Sequence, residues 1–154
     1  MTKAEVVRRK TARVLPIDCN GRILLMHGWD PAKPESPFWF TIGGGAEPGE
    51  DLPTAAAREL LEETGIVIEP AALGKPVAHH QHQFGWDGMV LVQDETYYAV
   101  RVGDVTVNFE GMEQIELDTT DSADWWTPDD LDADGGAGFE QLTDVMRTAI
   151  VRAR

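Results

Sequence analysis

The stretch from Asp51 to Gly65 constrains this chain more than any other, because it closes as a helix at both ends and crowds carboxylates between them. Asp51 is a capping residue, Leu52 and Pro53 fill a first turn that tolerates proline, and Ala55, Ala56, Ala57, Leu60 and Leu61 are good helix formers. Gly65 follows Thr64 where a left-handed residue should end the helix. At roughly 100° per residue, Glu62 and Glu63 lie within about 60° either side of Glu59. Ala57 and Leu61 fall opposite Glu59 and are expected to form the buried stripe, leaving one face in the core and one face of carboxylates. Neighbouring like charges destabilise a helix, so a sequence that keeps three of them has a cation to place there. Oxygen ligands without Cys or His call for Mg²⁺ or Mn²⁺, not zinc.

Just upstream lie Thr41-Ile42-Gly43-Gly44-Gly45 and Pro48-Gly49. Glycine lets backbone approach a ligand closely, so this loop is expected to bring a main-chain carbonyl or amide up to a metal or phosphate beside the helix start. Arg58 is placed to pair with Glu50 or Glu59 and hold a carboxylate in position. Taken alone, Glu-x-x-Glu-Glu reads as a solvated acidic helix with an ordinary surface arginine. The longer pattern, filled at every position, reverses that reading.

That pattern, Gly44-x5-Glu50-x7-Arg58-Glu59-Leu60-x-Glu62-Glu63-x-Gly65-Ile66, resembles the Nudix box of the Nudix hydrolases. Phe38 to Gly45 and Trp125-Trp126-Thr127-Pro128-Asp129-Asp130-Leu131 also resemble family segments, so one domain over residues 1–154 is expected. Ile42 departs from the Pro-Gly-Gly of many members, which bears on loop rigidity more than on chemistry. The resemblance implies an α/β fold, an α/β/α sandwich with a mixed β-sheet. It implies Mg²⁺, with Mn²⁺ able to substitute, on Glu59, Glu62, Glu63 and the Gly43 carbonyl. Arg58 takes an orienting role and Glu50 supports it. A further acid from a downstream loop commonly joins such sites, and Glu116 is favoured over Glu113. The proton acceptor stays open among Glu59, Glu62, Glu63 and that downstream acid.

The implied reaction cleaves a nucleoside diphosphate linked to a group X, giving a nucleoside monophosphate and phosphorylated X. Trp39, Phe40, Gly44 and Gly45 are the expected substrate contacts. A nucleotide-sensing module that does not cleave is the alternative, disfavoured because a sensor need not keep three mutually repelling carboxylates. Isopentenyl-diphosphate isomerisation, on a related fold, needs a thiol over the substrate, and Cys19 falls in a predicted turn. Relatives are often dimers, which leaves a homodimer open.

Composition narrows the partners. A net charge of −14 argues against general nucleic-acid binding, which relies on phosphate neutralisation by Lys and Arg, and disfavours a long RNA as X. A metal can still supply positive charge locally. No run of 18 apolar residues suggests a membrane span, and Met1-Thr2-Lys3-Ala4-Glu5 lacks the apolar core of a signal peptide. One cysteine allows no internal disulfide, and with these features points to a cytoplasmic protein. Cys19 itself reads as a small, partly buried residue.

Strand-like runs cover residues 11–17, 22–28, 77–82 and 89–102, with 39–42 a shorter candidate. Asn20-Gly21 signals a hairpin turn. Leu142, Val145, Met146, Ala149 and Ile150 recur at helical spacing and predict a helix over 139–151. Residues 30–37, with three prolines, and the acidic stretch 103–124 read as irregular. On a strand His80 and His82 point one way and His79 the other. Trp29, Phe38, Phe84, Trp86, Trp125 and Trp126 are mostly core by type, with some available to stack a nucleobase. Gln93 and Glu95 alternate before Tyr97 and are candidates to face a cleft.

Overall fold

The protein is described from a computed structural model covering residues 5–112 and 114–153; Glu113 lies outside the described residues. Its axis is β1 (Val6–Ile17), an edge-to-edge match for β6 (Met89–Arg101), with which it pairs in parallel from Val6↔Val90 to Ile17↔Arg101. On the far side of β6 runs antiparallel β5 (Ala78–Trp86). The other edge of β1 is shared. Its middle, from Thr11 to Val14, pairs antiparallel with β4 (Ile42–Gly45), and its last residue, Ile17, meets Ile23 at the start of β2 (Ile23–Gly28). β2 in turn carries β3 (Phe38–Phe40) and β7 (Thr120–Trp126), both antiparallel. One parallel pair among antiparallel ones makes the sheet mixed, as expected.

Alternation along β1 divides the core in two. Ala12 and Val14 face helix α1 (Leu52–Thr64), with Leu24, Met26, Ile42, Tyr98 and Val100. Leu15 and Ile17 face the opposite layer, where Leu131 of α3 (Pro128–Asp134) joins Leu142, Val145, Met146 and Ala149 of α4 (Leu142–Arg152). Helices on both faces give the α/β/α sandwich. The predicted run 39–42 divides at Thr41, its halves pairing with different strands. Within the stretch read as irregular, Gln114–Thr119 forms a short helix, α2, and leads directly into β7.

Helix α1 caps as its sequence requires: the Asp51 side chain accepts from the Thr54 N–H at 2.9 Å, and Gly65 ends it with φ 77°. Its orientation differs from the wheel reading. Leu61 is 48% exposed and Ala57 half-buried, while Ala55, Ala56 and Leu60 face the sheet. Glu59 and Glu63 are buried on that same side. With small Ala55 and Ala56 against the sheet, this orientation turns Glu59 and Glu63 under the glycine strand instead of outward. Cys19, expected to be partly buried, is exposed in the β1–β2 turn, because the Asp18 side chain closes that turn on the Asn20 and Arg22 N–H groups.

Candidate active site

Strand β4 is bare on both faces, and each of its three glycines makes room for something different. At Gly43, where φ is 145°, a Cβ would lie 2.1 Å from the Ala12 carbonyl oxygen, so only glycine fits against β1. At Gly44 a Cβ would lie 2.7 Å from Glu59 Oε1: the carboxylate occupies the space a side chain would take. At Gly45 it would lie 2.9 Å from Arg9 Nη2. The glycine strand therefore makes room for the Glu59 carboxylate on the α1 side and for the Arg9 guanidinium on the other.

On the α1 side, Glu59, Glu63 and Glu116 bring carboxylate oxygens within 4.8 Å of one another. Glu63 is anchored by the Gly43 N–H, which donates to its Oε2 at 2.8 Å. Burial pushes the Glu63 carboxyl well above its ordinary range, and a hydrogen bond and charge from Glu116 push the same way. Burial also raises Glu59, opposed by the hydrogen bond and charge of Arg58. Such a group cannot keep three negative charges without a cation, and its ligands are all hard oxygens. Glu116, on α2, is the downstream acid found here; Glu113 lies outside the described residues.

Arg58 organises the rim. Its Nε and Nη2 donate to the two oxygens of Glu50 at 2.9 and 2.8 Å, Nη2 also reaches the Gly45 carbonyl at 3.1 Å, and Nη1 donates to Glu59 at 2.9 Å and Glu62 at 3.3 Å. This fork-to-fork pairing holds the Glu50 carboxyl down, at about 2, and raises the Arg58 guanidinium. Glu62 thus stands outside the close carboxylate group and against Arg58.

Across β4, Arg13 donates to the Gly43 and Thr41 carbonyls at 3.1 and 3.2 Å, reaches the Gln93 side-chain oxygen at 3.3 Å and lies 3.6 Å from Glu95 Oε1. Tyr97 donates its buried hydroxyl to Glu95, which with the burial of the ring raises the phenol, and His82 lies 3.6 Å from the same carboxylate. Burial lowers His82, so it stays neutral more readily. A chain of polar contacts thus runs from the glycine strand to β6. Around it opens a cleft of about 1000 Å³, whose walls include Phe40, Phe84, Trp86 and Phe139, at the upper end for ligand sites.

Of the residues expected at the site, Phe40, Gly43, Gly44, Gly45, Arg58, Glu59, Glu62, Glu63 and Glu116 all line this cleft. Trp39 does not. Alternation on β3 sends it to the other face, where it packs on Trp126 and His27 with ring centroids 5.1 and 4.7 Å away. Gln93 and Glu95 do face the cleft, and His79 turns away to pair with Asp94. Sequence reasoning passed over Arg9 and Arg13. Their signal was available: two arginines four residues apart fall on one face of a strand.

Comparison with known proteins places the chain in a family. RNA pyrophosphohydrolases are similar: that of Dinoroseobacter shibae is 44% identical over 61 residues, 40% of this chain and 36% of the relative. That of Caulobacter vibrioides is 34% identical over 113 residues, 64% of this chain and 62% of the relative. The chain thus matches less than two thirds of the length of these curated relatives. Among solved structures, the E. coli dihydroneopterin triphosphate pyrophosphohydrolase superposes with TM-score 0.68 at 17% identity, covering 98% of this chain and 100% of that one. A MutT protein from Methanosarcina mazei Go1 superposes with TM-score 0.65 at 19% identity, covering 97% of each chain. These two likenesses establish the fold. The NUDIX domain family matches residues 7–144, and the chain belongs to that family.

Proposed function

We propose that this protein is a metal-dependent pyrophosphohydrolase that cleaves a nucleoside diphosphate linked to a group X, releasing a nucleoside monophosphate and phosphorylated X. The observation that carries this reading is the close group of Glu59, Glu63 and Glu116 beneath a strand of three glycines. Glu59, Glu63 and Glu116 would hold Mg²⁺, with Glu62 from the rim and the Gly43 carbonyl from the strand. That carbonyl accepts from Arg13 and keeps a second lone pair. Bound there, Mg²⁺ (or Mn²⁺) offsets charge on the diphosphate and makes a nearby water a better nucleophile at neutral pH.

The chain's own residues supply position and proton transfer. Glu50 anchors Arg58, which holds Glu59 and Glu62 directly, so the acidic edge is set before substrate arrives. One carboxylate of Glu63 and Glu116, ionised once the cation is bound, is the place we assign for the proton of the attacking water. The glycines let the diphosphate lie against bare backbone. The aromatic walls, Phe40 among them, are assigned to the nucleoside. The names of the curated relatives support a diphosphate reaction, while the charge of −14 speaks against long RNA as X. We place the reaction in the cytoplasm, in keeping with the single cysteine; no helix among the described residues is long and apolar enough to cross a membrane.

The deciding experiment assays nucleoside triphosphates, dinucleoside polyphosphates and nucleotide sugars with Mg²⁺, identifying products by mass. A nucleoside monophosphate should appear, and Glu63→Gln should lower turnover by orders of magnitude with the fold intact. Tight nucleotide binding without turnover under Mg²⁺ or Mn²⁺ would instead make this a sensing module.

A further inference from the structure

Four cations line the cleft, and their partners differ. Arg58 is fully engaged by Glu50, Glu59, Glu62 and the Gly45 carbonyl. Arg13 commits Nη1 and Nη2 to the Gly43 and Thr41 carbonyls, Gln93 and Glu95, and its Nε is buried without a partner. Arg9 has neither an ion pair nor a hydrogen bond among the described residues, and the same holds for the Lys33 side chain at the outer loop.

Arg9 is the more telling of the two. Its guanidinium lies over Gly45: a Cβ there would be 2.9 Å from Nη2, 3.5 Å from Nε and 3.6 Å from Cζ. It shares the strand face with Arg13, four residues on; partial burial and that neighbouring charge lower its pKa, against the opposing charges of Glu59 and Glu95. A protein carrying 27 acidic residues against 13 basic ones has left this cation without a bonded carboxylate. Glu59 and Glu95 act on Arg9 only through space, so its guanidinium N–H groups stay open to a hydrogen-bonding anion from outside the chain.

The placement says which anion. Gly44 separates Glu59, on the α1 side, from Arg9, on the Gly45 side. A phosphate chain laid across β4 would meet the carboxylates that would hold the metal on one side and Arg9 on the other. We infer that Arg9 binds a phosphate of X, so that the substrate is a nucleoside polyphosphate whose far group is itself phosphorylated, and not a nucleotide sugar. This rests on the hydrolase reading above and narrows it. Arg9 is a specificity-determining residue here; it takes no part in the proton transfer.

The test compares wild type, Arg9→Gln and Arg9→Lys on a nucleoside triphosphate and a nucleoside diphosphate sugar with Mg²⁺. Loss of a charge-assisted phosphate contact should raise KM for the triphosphate by about tenfold to a hundredfold, with kcat little changed. Arg9→Lys should recover part of that loss. KM for the nucleotide sugar should stay put in every variant. Equal changes on both substrates, or none on the triphosphate, would overturn the inference. Calorimetric binding of a methylene-bridged, uncleavable nucleoside triphosphate with Mg²⁺ gives a second reading that needs no turnover. Arg9→Gln should weaken it by a similar factor; unchanged affinity, or no binding to wild type, overturns the inference. Wild type that binds this analogue but turns over no substrate would refute the hydrolase reading alone, while the Arg9→Gln comparison still decides the phosphate contact.

Discussion

The Arg58 guanidinium grips both oxygens of Glu50, at 2.9 and 2.8 Å, although the two residues lie in different structural elements, one before α1 and one within it. The pairing fixes the loop that leads from the glycine strand into the helix. It also aims the remaining guanidinium nitrogen, Nη1, at Glu59 and Glu62.

Lysine cannot reproduce that geometry, because an ammonium has no planar fork. Arg58→Lys should therefore lower kcat by about tenfold to a hundredfold while circular dichroism shows an intact fold. Wild-type kcat in this variant would mean that the fork does not position the carboxylates.

Stability of the metal-free protein should depend on pH in two opposite ways. Glu50 is held at about 2 against an ordinary 4.5, so its contribution is complete above pH 4.5 and is lost as pH falls toward 2. Glu63 is raised well above 4.5, so between 4.5 and that raised value the folded state binds more protons than the unfolded one, and stability falls as pH rises. Thermal melts in EDTA should thus show Glu50→Gln flattening the acid limb and Glu63→Gln flattening the limb above 4.5. Melting curves of Glu63→Gln that track wild type above pH 4.5 would contradict this account.

Divalent metal should oppose the second trend, since a cation bound by the folded state alone stabilises it by mass action. At a hundred times Kd the gain is about 2.7 kcal/mol, or about 5–10 °C in Tm for a domain of this size. Mg²⁺ should produce such a shift in wild type at pH 7 and little of it in Glu63→Gln, while Glu110→Gln, an exposed loop acid, should behave as wild type. Differential scanning fluorimetry measures this directly.

Alanine in the glycine strand should separate fold from site. Gly43→Ala sets a Cβ against the backbone of β1 and should cost roughly 3 kcal/mol or more. Gly44→Ala meets only the Glu59 carboxylate, so metal affinity should fall with a small change in Tm. Gly49→Ala, with φ 77° and nothing within 4 Å, should cost only about 1 kcal/mol. Chemical denaturation ranks the three; a Gly43→Ala protein as stable as Gly49→Ala would remove the steric argument.

What the sequence determined by itself was local. Asp51 and Gly65 bound the helix, and a period of 3.6 residues fixed Glu59, Glu62 and Glu63 relative to one another. Oxygen ligands without sulfur or imidazole called for a hard cation. Helical spacing holds within a few turns and needs no knowledge of the rest of the chain. What the tertiary structure decided was which way these pieces face. The wheel could not tell that Ala55, Ala56 and Leu60, rather than Ala57 and Leu61, meet the sheet, because that depends on how closely α1 approaches β1 and β4. Nor could it separate Phe40, in the cleft, from Trp39, against Trp126, since the sheet chooses the face that strand alternation only divides. Glu116 joins Glu59 and Glu63, and Arg9 and Arg13 lie across β4 from them, through pairings between residues far apart in the chain. Those contacts exist only once the mixed sheet has formed.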